Sequence, residues 1–478
     1  MKKFKPERSH PIIILTGFLA SIKEFIFPII FVFILQVRST SLFFENNFFR
    51  YFILGSLLIS ILNSVLQWYF LKYSYSDGVL HVKSGVFVKK DRYIKKERVQ
   101  TINTKAGILW RILDLVTMQI ETAGAGLEPE VHIKAIDRNK AEYISKALED
   151  EKSVEDIDAT ASVSESTRNV WEINYKRLIL AGMTSSGLGI IFSFLAVIVG
   201  NGMAIVPGEF FSSAFRIFQN TQLMFIVMLV FLIFLLSWLI SIVRFVMSYG
   251  GFTIVKDEAE IKITRGLIEK KELSLKVHRI QAIRIVEGLL RQPFGYAIVE
   301  VEVAGGASED SGFKTILNPM IKKSEIEDFI SFVSPDRAYC QDFKNLPQKA
   351  LRRYITRSTV PLLPLLVIFY LVSNPFVWAG LLILPISWFL GYLRYKDGSY
   401  VILDQNIIFR YRIIARTTVL MKKSQIQSIE LKTNFIQKAK NLTTISSTVL
   451  TAMLSATFTV KDISRESGEE LWAWFTRE

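Results

Sequence analysis

Four histidines, one cysteine and one alternating pair of glutamates are the residues whose types could carry out chemistry in this chain. His10, His81, His132 and His278 lie far apart, and none falls in a metal-ligating spacing such as HExxH. Cys340 has no second cysteine with which to form a disulfide or a CxxC pair. Glu300 and Glu302 share a strand face in VEVEVA, where the alternation predicts an ordinary solvated edge. GAG at 124–126 is a hairpin-turn signal, not a dinucleotide loop, and no Walker loop occurs. The expectation is a chain without a catalytic site, a metal or a cofactor.

Positive charge is the chemistry the sequence does offer. The 58 Lys and Arg against 44 Asp and Glu give a formal charge of +14. Lys72 to Lys105 alone holds nine basic and three acidic residues, a net of +6. Lys72, Lys89, Lys90, Arg92, Lys95 and Lys96, with Arg394, Lys396, Arg410, Arg412 and Arg416 further on, are candidate contacts to anionic lipid headgroups. Each such charge beside an anionic leaflet contributes on the order of 1 kcal/mol. The alternative is that this charge only sets membrane topology. Nucleic acid is not expected as a partner, because it would leave the apolar stretches unexplained.

Half of the 478 residues are hydrophobic and 36 are Phe, which points to a membrane protein. Six stretches approach the roughly twenty apolar residues of a membrane-spanning helix. They form three pairs: about 11–35 with 49–71, 178–200 with 222–247, and 356–372 with 375–393. The basic N-terminus leads into the first, which reads as a retained segment because no cleavage site follows. Lys23 and Glu24 interrupt it, either as an intramembrane ion pair on a transport path or as part of an interfacial lead. The loops at 36–48 and 201–221 hold one basic residue each, Arg38 and Arg216, and the other face carries nearly all the rest. The positive-inside rule then places both termini and the polar segments in the cytoplasm.

A polar, strand-patterned segment follows each pair, and the three are repeats. RVQTI at 98, RIQAI at 279 and QIQSI at 425 open in the same register. The motif residues are Arg98, Gln100 and Ile102; Arg279, Gln281 and Ile283; Gln425, Gln427 and Ile429. Gly85, Gly266 and Arg412 lie thirteen residues before each phrase; Gly107, Gly288 and Asn434 follow at nine and predict a shared left-handed turn. The phrase reads as a strand, with Val99 and Thr101 on one face and Gln100 and Ile102 on the other. The alternative is a binding edge for a partner or lipid.

The expected organisation is a helix hairpin at 11–71 and a β domain at 72–150, then an acidic linker and interfacial lead at 151–177. A second hairpin at 178–247 precedes a second β domain at 248–334. A linker at 335–355 leads to a third hairpin at 356–393 and a third β domain at 395–478. Each β domain ends in a helix; in the last, Ser464 and Ser467 are capping candidates, and Leu471, Trp474 and Phe475 share one face.

The doubled apolar stretch, the basic strand-rich module and the RVQTI-type phrase resemble the bacterial pleckstrin-homology (PH) domain. Three such units resemble the YdbT-like membrane proteins of Gram-positive bacteria, over nearly the whole chain. The third copy departs most, with Gln425, Asn434 and QKAKNL in place of the usual residues. The resemblance implies an α + β membrane protein: six transmembrane helices in three hairpins, each followed by a PH-like sandwich of seven strands with a C-terminal helix. It also implies a bacterial plasma-membrane location, a role in envelope stress or antimicrobial-peptide resistance, and a hetero-oligomer with a smaller membrane protein carrying one PH domain. The expected function is a scaffold whose PH-like domains bind partner proteins or membrane lipids. The alternatives are a transporter or export component and a lipid-binding or lipid-transfer protein.

Overall fold

A computed structural model describes residues 6–20, 47–76, 78–86, 88–122, 131–149, 169–184, 223–257, 260–304, 315–340, 342–364, 374–451 and 455–477. Lys23, Glu24, Arg38, Arg216, the GAG turn and most of the acidic linker lie outside these residues.

The first module contains β1 (Glu7–Arg8), α1 (Asn47–Phe70), β2 (Lys72–Ser76), β3 (Val79–Ser84), β4 (Lys90–Lys95), β5 (Val99–Ala106), α2 (Ile108–Ile112), β6 (Leu115–Thr122), β7 (Val131–Asp137) and α3 (Arg138–Glu149). The second contains β8 (Asn169–Glu172), α4 (Tyr175–Met183), α5 (Leu223–Tyr249), β9 (Thr253–Lys256), β10 (Glu260–Arg265), β11 (Lys270–Lys276), β12 (Ile280–Glu287), β13 (Tyr296–Val303), β14 (Thr315–Lys322) and α6 (Ile326–Val333). The third contains β15 (Lys344–Asn345), α7 (Leu351–Thr359), α8 (Asn374–Asp397), β16 (Ser399–Leu403), β17 (Asn406–Arg412), β18 (Arg416–Lys422), β19 (Ile426–Lys432), α9 (Phe435–Lys438), β20 (Leu442–Leu450), β21 (Ser455–Ser464) and α10 (Arg465–Thr476).

Each module therefore has four strands, then three, then a closing helix, the seven strands and one helix that the resemblance implies. In each, the first strand precedes the helices. β1 pairs with β2, β8 with β9 and β15 with β16, so the helical stretch is inserted between the first two strands of its own sheet. Between the two layers lies an apolar core. In the second module α6 buries Ile326, Phe329, Ile330 and Val333 at helical spacing against Ile263, Val299 and Leu317. In the third, the Ser464 hydroxyl caps α10 by accepting from the Ser467 N–H (3.1 Å), and Leu471 is buried.

The expectation of six membrane-spanning helices is corrected by the structure. Among the described residues no helix is long and apolar enough to cross a membrane. The candidates at 11–35, 178–200 and 356–372 are described only through residues 20, 184 and 364. The described helices also carry polar residues or a proline: Ser60, Asn63 and Ser64 in α1, Arg244 near the end of α5, and Pro385 and Ser387 in α8. The helices pack in pairs; a Cβ on Gly182 of α4 would lie 3.1 Å from Ile242 Cα of α5, so glycine allows this approach.

The repeated phrase also differs from its expected two-faced strand. Each copy follows a 3-10 turn and carries a β-bulge at its glutamine. Pairing passes from Val99 to Thr101, from Ile280 to Ala282 and from Ile426 to Ser428, skipping Gln100, Gln281 and Gln427. The extra residue turns the chain, so that Val99 and Ile102 enter the same core, as do Ile280 and Ile283. The expected left-handed turn at Gly107 and Asn434 is absent. Both are extended (φ −73° and −86°) and serve as helix N-caps, Asn434 in a reciprocal capping box with Gln437. Left-handed backbone lies instead at Gly85 and Gly266 (φ +101° each), where a Cβ would meet a carbonyl at 1.9 and 2.0 Å.

The modules are not separate sandwiches. The second layer of one and the first layer of the next form a single seven-stranded sheet. One sheet runs β7-β6-β5-β11-β10-β9-β8, the other β14-β13-β12-β18-β17-β16-β15. At the two ends remain β1-β2-β3-β4 and β19-β20-β21.

Candidate interaction surfaces at the junctions and tips

The strands opened by the phrase form the junctions. β5 pairs antiparallel with β11, Thr101 opposite Leu275 through Ala106 opposite Lys270. β12 pairs with β18, Ala282 opposite Met421 through Glu287 opposite Arg416. Aligned by the repeat, the two registers are identical. The glutamine bulge, common to both, thus helps set which residues meet across a junction.

Buried cations fasten the second junction. Arg337 donates to the carbonyls of Ile280 (Nη2) and Leu420 (Nη1, 3.3 Å) and, through Nη2, to the Gln425 side chain (2.5 Å). It thereby ties β12, β18 and the third phrase together, and burial pushes its pKa down to about 10. Arg412 bonds Asp397 (2.5 Å) and reaches Gln292 of the second module (2.5 Å). Arg284 sits 3.0 Å from Glu302 and 3.6 Å from Glu300. The two glutamates are therefore not a solvated edge; Glu302 is buried and both are committed to Arg284. At the first junction Arg111 donates to the Leu267 carbonyl (2.9 Å).

A second surface recurs in all three modules. The segment after each phrase strand exposes large apolar side chains: Ile108, Leu109 and Ile112 in the first, Leu289, Leu290 and Phe294 in the second, Phe435 and Ile436 in the third. The loops before the junction strands add Leu267 and Ile268, then Ile413 and Ile414. These tips adjoin the helices. Leu267 N–H donates to Met247 of α5 (2.9 Å), and Arg394 of α8 donates to the Ile413 carbonyl (2.9 Å). Between α5 and the tip runs a groove of about 560 Å³, lined by Leu236, Ile240, Val243 and Ile268, with Arg244 and Lys271 beside them.

Arg291 holds the second tip to α4. Its guanidinium donates to the Ala181 carbonyl (2.9 Å), the Pro319 carbonyl (3.3 Å) and the Thr184 hydroxyl (2.9 Å), and burial pushes its pKa down to about 10. At the matching place in the third module, Gln437 bonds the fully buried Asp462 (2.8 Å), which also accepts from Arg353 (2.8 Å) and Arg357 (2.9 Å) of α7.

The candidate lipid contacts divide into two groups. Lys89, Lys90, Lys95 and Lys396 are exposed, and Lys72, Arg92, Lys96 and Arg394 are half-buried at the surface. Arg410, Arg412 and Arg416 turn inward: Arg410 lies 3.4 Å over the Phe343 ring, Arg412 pairs with Asp397 and Arg416 with Glu287. Among the motif residues, Ile102 and Ile283 are buried and Ile429 half-buried, while Arg98 and Gln427 are exposed. Arg279 and Gln281 are half-buried, and the Gln281 amide lies 3.4 Å from the Arg279 carbonyl. Gln100 occupies the bulge of β5. His81 stacks on Tyr93 and faces Asp91 (3.2 Å); His132 lies beside Gln119. Sequence reasoning missed Arg337, Asp397, Glu287 and Asp462. Glu287 lay in a phrase-strand run, but nothing marked its partner 129 residues away.

Tandem PH-like modules fused through their sheet edges define a multi-module bacterial PH protein. The bacterial PH domain profile matches residues 11–152, 191–337 and 360–478, and the chain belongs to that family. It is 31% identical, over 495 residues and 99% of each chain, to the UPF0699 transmembrane protein YdbT of Bacillus subtilis (strain 168).

Proposed function

We propose that the chain is a non-catalytic, membrane-associated scaffold on the cytoplasmic face of a bacterial plasma membrane. Its PH-like modules engage the anionic membrane surface and partner proteins. The observation that carries this reading is the recurrence of exposed apolar tips, beside cations, at one repeat position in all three modules. Apolar side chains enter the headgroup boundary while Lys and Arg attract anionic lipid. The relative's name, a transmembrane protein, supports the membrane location. Envelope protection and a smaller single-PH partner belong to this proposal through the family resemblance. The amphipathic groove beside α5 favours a second reading, lipid binding between helix and tip.

The test is co-flotation of the purified full chain with vesicles of graded phosphatidylglycerol content. Recovery should rise with anionic lipid and fall with salt. Recovery that ignores both would remove the electrostatic argument.

A further inference from the structure

The three modules are joined by one junction used twice, and its two halves are left over at the ends of the chain. Among the described residues, β4 pairs only with β3, and β19 only with β20. β4 is the first module's counterpart of β11 and β18; β19 is the third module's counterpart of β5 and β12. Among the described residues one donor strand and one acceptor strand of the same internal joint are thus left over.

Exposure or charge at two equivalent positions fits this reading. Thr101 and Ala282, which open the paired stretches of β5 and β12, are buried, whereas Ser428 in β19 is exposed. Val419 of β18 is buried and Leu273 of β11 half-buried, whereas the corresponding Arg92 of β4 is charged. β12 and β18 carry apolar residues on both faces. β19 (IQSIELK) keeps one face polar, and β4 (KDRYIK) places charge on both, as edges do.

We propose that the β19 edge receives the β4 edge of a second copy of this chain, head to tail, in the register of the two internal junctions. That register sets Ser428 opposite Ile94 of the second copy, Ile429 opposite Tyr93 and Glu430 opposite Arg92. It opposes the one acidic side chain of β19 to a cation of β4. The contact is heterologous, so each added copy leaves a fresh β19 edge at one end and a fresh β4 edge at the other. The joint is β-augmentation, with main-chain hydrogen bonds for affinity and side-chain pairs for register.

Directly opposed residues in an antiparallel pair lie about 4.5–5.5 Å apart at Cα, within the span a disulfide tolerates. In a Cys340→Ser background, one tagged chain carries Glu430→Cys and a second, differently tagged chain carries Arg92→Cys. The two are purified without other proteins and oxidised together. A disulfide-linked pair containing both tags is expected, at least about tenfold more abundant than from Glu430→Cys with Lys90→Cys, which is two positions out of register. Both sites are on surface strands, so folding is not at stake. Glu430→Lys should weaken self-association roughly three- to fivefold, and Arg92→Glu on the partner copy should restore it. Cross-linking indifferent to register, a chain that stays monomeric, or a β19 edge that captures only a different protein would each overturn the proposal.

Discussion

Glu287 and Arg416 meet face to face across the β12–β18 junction, and both carboxylate oxygens accept from one guanidinium, Nε at 2.7 Å and Nη2 closer still. One partner comes from the second module and the other from the third, and both are largely buried. Burial alone would lower the Arg416 pKa; the hydrogen bond and charge of Glu287 reverse that into a rise. Glu287→Ala would leave Arg416 only its longer contact with Asp397 (3.6 Å) and should cost about 3 kcal/mol, read as a lower thermal midpoint. Replacing both together, Glu287→Leu with Arg416→Met, should recover most of the loss.

The bulge separates substitution from deletion. Gln281→Ala keeps the extra residue and should cost less than about 1 kcal/mol. Deleting Gln281 removes the bulge and sends Ile280 or Ile283 out of the core in which both now sit. The loss of one buried isoleucine is about 2–5 kcal/mol, and the junction to β18 would slip with it. Limited proteolysis and denaturant midpoints of the two variants should differ accordingly.

The tips should matter for membranes and not for stability. Ile112, Phe294 and Phe435 are 74%, 73% and 89% exposed. Serine at each should leave the thermal midpoint within about 1–2 °C, since surface changes usually stay within ±0.5 kcal/mol. Full burial of such a side chain is worth about 1.5–3 kcal/mol, so each should lower vesicle affinity by roughly ten- to a hundredfold. Unchanged flotation of the triple variant would contradict the membrane role of the tips.

Acid should loosen the second module at one named contact. Arg177 of α4 forms a bidentate pair with Glu325, at 2.7 and 2.8 Å, and its hydrogen bond holds the Glu325 carboxyl below its usual value. A depressed folded pKa adds stability above the unfolded value of 4.5, and that stability is lost as pH falls through the folded one. Glu325→Gln should therefore lower the thermal midpoint near neutrality and flatten its fall below about pH 5, so that the two proteins converge in acid.

The repeat, its module count and the closing helices were legible because they rest on local spacing: thirteen residues from glycine to phrase, helical periodicity in EIEDFISFV. The sharing of sheets was not, because an edge strand carries no mark of who covers it. One trace was present. IQAIRIV in β12 carries apolar residues on both faces, with Arg284 the one charge, whereas IQSIELK in β19 keeps one face polar (Ser428, Glu430, Lys432). The buried ion pairs were illegible for another reason. VEVEVA has the pattern of a solvated edge, and only the fold brings Arg284 to it. The six helical spans rested on hydropathy and on the resemblance, neither of which registers how the helices pack against one another.

The first strand of each module precedes its helices, and this sets an order of events during synthesis. Arg8 must wait for Lys72, 64 residues later, before β1 has a neighbour. At the usual pace of about 5–20 residues per second, that is roughly 3–13 s. β5 then waits for β11, more than 160 residues behind it, so the nascent first module emerges from the ribosome with its joining edge bare. The growing chain is its own first customer for that edge, and a slow or truncated product would leave it open to a neighbour on the same polysome.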